Sequence, residues 1–211
     1  MCGICGVFSA AGETDSLKKA VVLMNQRQIC RGPDDEGFFT DSGGRLIFGH
    51  RRLSIIDLSE AGRGPMGYNA GKLEITLNGE IYNFLELKKE LRALGYKFKT
   101  QTDTEVVLAL YADCGPVAFS KLRGMFAFAL WDSEKRKLFL VKDRYGIKPL
   151  YYYSDSGKLV FASTVKAIQE SGLIPLKKSP EALIGFLLFG SVPAPFTTLE
   201  SVFSLPPGHY L

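Results

Sequence analysis

Histidine is scarce in this sequence: only His50 and His209 occur among 211 residues, and there is one tryptophan. With so few imidazoles, a histidine-rich metal site does not find enough members. Cysteine is equally sparse, at four residues (Cys2, Cys5, Cys30, Cys114). Cys2 and Cys5 have the C-x-x-C spacing, but no second Cys or His pair completes a zinc set, so no metal is expected. No apolar run approaches the ~20 residues of a membrane helix. The segment before Glu13 lacks the basic leader of a signal peptide. A cytoplasmic location with reduced thiols is therefore expected. Single-sign charge clusters are missing too. The net charge of +4 is spread over mixed stretches such as Lys88-Lys89-Glu90, which excludes a nucleic-acid groove as the leading reading.

What remains is an ordinary globular balance, 46% hydrophobic and 23% charged, long enough for one sizeable core or two small domains. Apolar runs predict strands at Ile4–Phe8, Gly37–Thr40, Leu46–His50, Leu73–Leu77, Met125–Trp131, Lys137–Val141, Tyr151–Tyr153 and Leu159–Ala162. The Gly-rich stretch Ser59–Gly71 reads as a loop. Leu17, Ala20, Val21 and Met24 recur at helical spacing and predict a helix over Ser16–Ile29 capped by Asp15. Asn83 with Glu86 has the form of a capping box, with Gly95 closing that helix. A third helix starts at Asp103 or Thr104 and stops at Gly115-Pro116. Shorter helices are predicted near Val165–Glu170 and Pro180–Phe189. Hairpin-linked strands interrupted by helices indicate α+β with antiparallel sheets rather than a parallel α/β fold. The end, Leu205 to Leu211, reads as an extended linker that belongs to something longer.

Cys2 is the residue with the clearest chemistry. Methionine is normally removed before a small residue, which would leave cysteine at the terminus. Thiol and α-amine then share one residue, and an α-amine with a reference pKa of about 7.7–8.0 can act as a base near neutral pH. This is the N-terminal form of the nucleophile–base pair. The competing reading is an incidental cysteine in second position.

The surrounding residues favour the first reading. The run Met1-Cys2-Gly3-Ile4-Cys5-Gly6-Val7-Phe8 resembles the start of class II glutamine amidotransferases, a group of N-terminal-nucleophile hydrolases. The resemblance continues through Arg31-Gly32-Pro33-Asp34, His50–Asp57, Leu77-Asn78-Gly79-Glu80-Ile81-Tyr82-Asn83, Thr102-Asp103-Thr104-Glu105, Gly124–Ala129, Asp143–Tyr151 and Leu205–His209. It spans the whole chain in order. Arg31-Gly32-Pro33-Asp34 is similar to the asparagine-synthetase branch.

That resemblance implies a four-layer αββα sandwich and hydrolysis of L-glutamine to glutamate and ammonia through a Cys2 thioester. It implies an oxyanion hole from the Asn78 side chain and the Gly79 N–H, which a turn after a strand could present. It places the substrate against Arg52 (α-carboxylate), Asp103 (α-ammonium), Glu80, Leu53, Ile55 and Ile56, and leaves Arg51 as a surface charge on the opposite face. A glutaminase domain over residues 1–200 is expected, with 201–211 opening a linker to a synthetase partner that receives the ammonia. Cofactors are expected only there, as ATP and magnesium, and a homodimer is possible. Another acceptor such as a sugar acid, an acylase of the same fold, or a non-catalytic docking module are the alternatives. The sequence departs from the family pattern at Cys30, at Arg63-Gly64 and at Thr164, which could alter loop closure or docking. Cys5, Cys30 and Cys114 read as small core residues.

Overall fold

The computed structural model describes residues 1–54 and 60–211. Ten strands form two antiparallel sheets. The first contains β1 (Gly3–Ser9), β2 (Asp35–Thr40), β3 (Leu46–Arg52), β8 (Tyr151–Ser154), β9 (Lys158–Ala162) and β10 (Val202–Ser204), in the order β10-β8-β9-β1-β3-β2. The second is β4 (Met66–Tyr68), β5 (Leu73–Ile81), β6 (Gly124–Asp132) and β7 (Lys137–Lys142), in that order.

Three apolar layers hold the sandwich together. Between the sheets lie Ile4, Leu46, Phe48, Ala127, Ala129, Leu140, Leu150 and Phe161. Phe48 and Phe161 meet edge to face at 5.8 Å, the arrangement that ring quadrupoles favour. Outside the first sheet, helix α1 (Thr14–Gln26) buries Leu17, Val21 and Met24 against Cys5, Val7 and Ile47, together with Ala167 and Ile168 of α5 (Val165–Glu170). Outside the second sheet, Leu87 and Leu91 of α2 (Phe84–Ala93) and Val106–Tyr111 of α3 (Asp103–Cys114) cover Ile75, Leu77 and Phe128. The result is the αββα stacking. Both faces of the central strands are covered, which is why β1 and β3 are buried along nearly their whole length.

Local details correct several expectations. Helix α1 begins at Thr14; Asp15 lies inside its first turn, and Glu13 holds the cap position without a side-chain bond. A carboxylate there still meets the positive helix end. Asn83 does not close a capping box: its side chain donates to the carbonyl of Lys121 (3.0 Å) and accepts from Arg123 N–H (2.9 Å). It ties α2 to the turn before β6 instead. Helix α3 begins at Asp103, one of the two expected starts, and Thr102 caps it by accepting from Glu105 N–H at 3.2 Å. The predicted loop 59–71 contains the short strand β4, whose three residues are too few for alternation to register; Ser59 lies outside the described residues. Arg51 points to the face opposite Arg52 but is buried. It pairs with Glu36 at 2.9 Å and donates to the carbonyl of Asn25 near the α1 C-terminus. Cys5 is buried and Cys114 half-buried, whereas Cys30 is exposed.

Of residues 201–211, expected to open a linker, 202–211 lie across both sheets. Strand β10 extends the first sheet beside β8. Leu211 exchanges two backbone bonds with Leu140 at 2.9 Å, and Lys142 N–H donates to the His209 carbonyl.

Candidate active site

A cleft of about 210 Å³ opens where the start of β1, the ends of β3 and β5, the start of β6 and the first turn of α3 converge. It is smaller than the ~300–1,000 Å³ typical of drug-sized ligands, a size for a small metabolite. Cys2, Arg52, Leu53, Asn78, Gly79, Glu80 and Asp103 all line it. Seven of the nine predicted site residues therefore meet, from four segments of the chain. Ile55 and Ile56 lie outside the described residues.

Strand pairing places Cys2. Gly3 pairs with Arg51, which puts Cys2 beside the end of β3. Its sulfur accepts from Leu53 N–H at 3.4 Å and lies 3.7 Å from the Leu53 carbonyl. Burial pushes the thiol pKa up; the Leu53 hydrogen bond, the amino terminus, Arg52 and Lys148 act in the opposite direction. A thiol so held needs a base to become a nucleophile. Met1, 52% exposed, lines the cleft beside Cys2.

Asn78 and Gly79 lie within β5, not in a turn, because the strand continues to Ile81 against β6. Odd-numbered side chains of β5 pack toward α2 and α3, whereas Thr76 reaches across to His50 of the other sheet. Asn78 shares the face of Thr76. Its side chain is fully buried, and neither amide atom has a partner among the described residues. Leaving such a group unsatisfied costs about 1–3 kcal/mol, which a ligand would recover.

The Gly79 N–H follows from strand geometry. Tyr82 N–H donates to Arg123 ahead of β6, while Ile81 N–H turns the other way, to Asp103 Oδ2 at 2.8 Å. Backbone direction alternates, so Gly79 N–H shares the outward edge with Ile81. Strand β4 covers β5 only from Leu73 to Ile75, and no described strand pairs with Gly79 on that side. Its position tolerates no side chain: φ is +148°, and a Cβ would stand 2.1 Å from the Met125 carbonyl oxygen.

Charge is divided across the cleft. Arg52 ends β3 and is buried. Asp103 opens α3 at 5% exposure, its carboxylate accepting from Ile81 N–H and, at 3.4 Å, from Thr104 Oγ1. No cation is paired with Asp103 among the described residues. Burial raises its pKa; the backbone bonds lower it, and nearby Glu80 adds to the rise. A buried carboxylate without a counter-ion is poised for a cationic ligand.

His50, Arg63 and Lys148 also line the cleft, and other residues near the motifs have structural roles. His50 contacts Thr76 Oγ1 through Nδ1 at 3.0 Å, and its pKa falls to about 4, through burial first and Arg52 second. It is neutral at physiological pH and serves as a wall, not a proton carrier. Arg63 forms a two-pronged pair with Asp35, Nη2 to Oδ1 at 3.0 Å, and fastens the 60–65 loop over β2. Thr164 caps α5 by accepting from Ala167 N–H. Arg31 donates from Nε to the Cys2 carbonyl at 3.0 Å. Buried Lys148 also lines the cleft. His50, Arg31 and Lys148 all fall within the resembling motifs, which was the available signal.

Comparison with known proteins agrees with this geometry. The profile of the glutamine amidotransferase domain matches residues 1–211. Asparagine synthetase [glutamine-hydrolyzing] 1 of Bacillus subtilis is 41% identical over 99% of this chain and 33% of its own length. Asparagine synthetase B [glutamine-hydrolyzing] of Escherichia coli is 42% identical over 80% of this chain and 30% of its own length. The chain thus spans about a third of the length of these curated relatives. Among solved structures, the glutamine phosphoribosylpyrophosphate amidotransferase of B. subtilis superposes with a TM-score of 0.66 at 20% identity, covering 81% of this chain and 44% of that one, a likeness of fold. With the profile matched end to end and the cleft assembled on that fold, the chain belongs to the class II glutamine amidotransferase domain family.

Proposed function

We propose that this chain hydrolyses L-glutamine to glutamate and ammonia at the Cys2 sulfur, after removal of Met1. The observation that carries this reading is the cleft's division of labour. A thiol and an orphaned amide stand at one place, and a buried guanidinium and a buried carboxylate line the same cleft, matching in sign the two charges of an amino acid.

In this reading Arg52 takes the α-carboxylate and Asp103 the α-ammonium, with Glu80 and Leu53 beside them. The freed α-amine accepts the thiol proton as sulfur bonds to the amide carbon. The carbonyl electron pair moves to oxygen, where the Asn78 amide and the Gly79 N–H receive it. Collapse expels ammonia, which takes the proton back from the α-ammonium, and leaves a thioester. Water then adds, and glutamate departs.

The ammonia serves a synthetase portion, as the names of the relatives and their threefold length suggest, with aspartate the acceptor those names indicate. ATP and magnesium would be used there and not in this chain. Its docking face is α6 (Pro180–Phe189), which buries only Ala182 and Gly185 and leaves Phe186, Leu187, Leu188 and Phe189 exposed at 53–74%. A contiguous apolar face of this kind marks an interface. Shelter at that junction would keep ammonia unprotonated.

The test is glutamate release from glutamine by the processed chain and by Cys2→Ala. Loss of activity to below about one part in a hundred is expected, since only the binding and oxyanion groups remain. Residual turnover above that level would point to another nucleophile.

A further inference from the structure

The cleft holds more positive charge than binding a glutamine α-carboxylate requires. Arg52 serves that carboxylate in the reading above, on which this inference rests. Arg63 is neutralised by Asp35, and Arg31, whose Nε donates to the Cys2 carbonyl, is not among the residues lining the cleft. Lys148 is left. It is 6% exposed, lines the same cleft as Cys2, Asn78 and Gly79, and its ammonium has no hydrogen bond or ion pair among the described residues. Burying most of a lysine side chain has a cost in lost hydration.

The fold nonetheless holds it there. Asp143, 1% exposed, gathers the backbone N–H groups of Phe126, Tyr145, Ile147 and Lys148 onto one carboxylate at 3.0–3.3 Å. That knot fixes the loop carrying Lys148 to the start of β6, against which Gly79 packs. The lysine backbone and the oxyanion strand are thus referenced to a single anchor.

We propose that Lys148 is a positioning residue that supplies the positive charge facing the Cys2 sulfur and the oxygen that becomes negative during attack. It donates no proton; the thiol proton goes to the α-amine. Its field favours the two anionic forms and is unused in the resting thiol. The other charged and titratable groups lining the cleft are Arg52 and His50 from β3, Arg63, Glu80 from β5 and Asp103 from α3; the terminal amine and Arg52 act on the sulfur in the same sense as Lys148.

The experiment measures Cys2 alkylation by iodoacetamide against pH in the processed chain, read by peptide mass, alongside glutamine kinetics. In Lys148→Met the alkylation midpoint should rise by about half a pH unit or more. The kcat should fall roughly three- to tenfold at an unchanged KM. Lys148→Arg should restore most of both. Lys148→Gln gives the same reading should the Met variant fail to fold. An unchanged midpoint and kcat in the folded neutral variants overturns the proposal. A shifted midpoint in a protein whose wild type ignores glutamine would uphold the role of Lys148 and refute the proposed substrate.

Discussion

Replacing Asp103 by asparagine separates binding from stability at one atom. The side chain keeps its shape, and an amide oxygen can still accept from Ile81 N–H, now at 2.8 Å. What vanishes is the negative charge offered to the substrate ammonium. Because Asp103 is buried and has no other cation among the described residues, the lost interaction is a charge-assisted bond of about 1.5–3 kcal/mol. Glutamine affinity should therefore fall roughly ten- to a hundredfold, seen as a higher KM with kcat little changed. Empty-protein stability should move the opposite way. Burial raises the Asp103 pKa above its unfolded value, so the folded chain holds the proton longer. Stability is then lost as pH rises through the folded pKa, and an ionised Asp103 is a net cost at neutral pH. Asp103→Asn should accordingly melt higher than wild type near pH 7, with the gap closing in acid. Thermal melts across pH, paired with glutamine titrations, check both halves. A variant that binds glutamine normally, or melts lower at neutral pH, would refute the assignment of this carboxylate as an unpaired ammonium site.

Asn78→Ala should lower kcat by about 10²–10³, the loss of one oxyanion donor, while leaving KM nearly constant; steady-state kinetics decide, and a pure KM effect would reverse its role with that of Asp103. Chain that retains Met1 should be inactive, because the amine of Cys2 is then held in a peptide bond; intact mass set against activity shows this. Glu74, buried on β5, has its pKa pushed up to about 7 by desolvation. Its contribution is lost as pH climbs from the ordinary carboxylate range through that value, so Glu74→Gln should stabilise the fold above about pH 7 and have little effect below about pH 4, by thermal melts.

Much of the architecture is local and was therefore legible in the chain. The apolar runs of β5 to β7, the helical spacing of Leu17, Val21 and Met24, and the Pro-Gly punctuation are properties of neighbouring residues. The order in which strands pair is not: β1 sits between β3 and β9, and β10 returns to β8, through contacts separated by up to 159 positions, as in Ile4 N–H to Ser163 Oγ. Asn83 matched a capping box in sequence, yet the turn before β6 claimed its side chain. Site membership followed from resemblance at Cys2, Arg52, Asn78, Gly79 and Asp103, because those residue types suit the chemistry wherever the fold places them. Their electrostatic state was not readable in this way. Whether Asp103 is unpaired, whether the Asn78 amide is orphaned, and whether Lys148 is buried beside a thiol depend on which segments pack together and exclude water. The sequence alone determined which groups exist and which elements carry them. The tertiary structure decided which charges lack partners, because burial and pairing are set by distant neighbours meeting at one end of the sandwich.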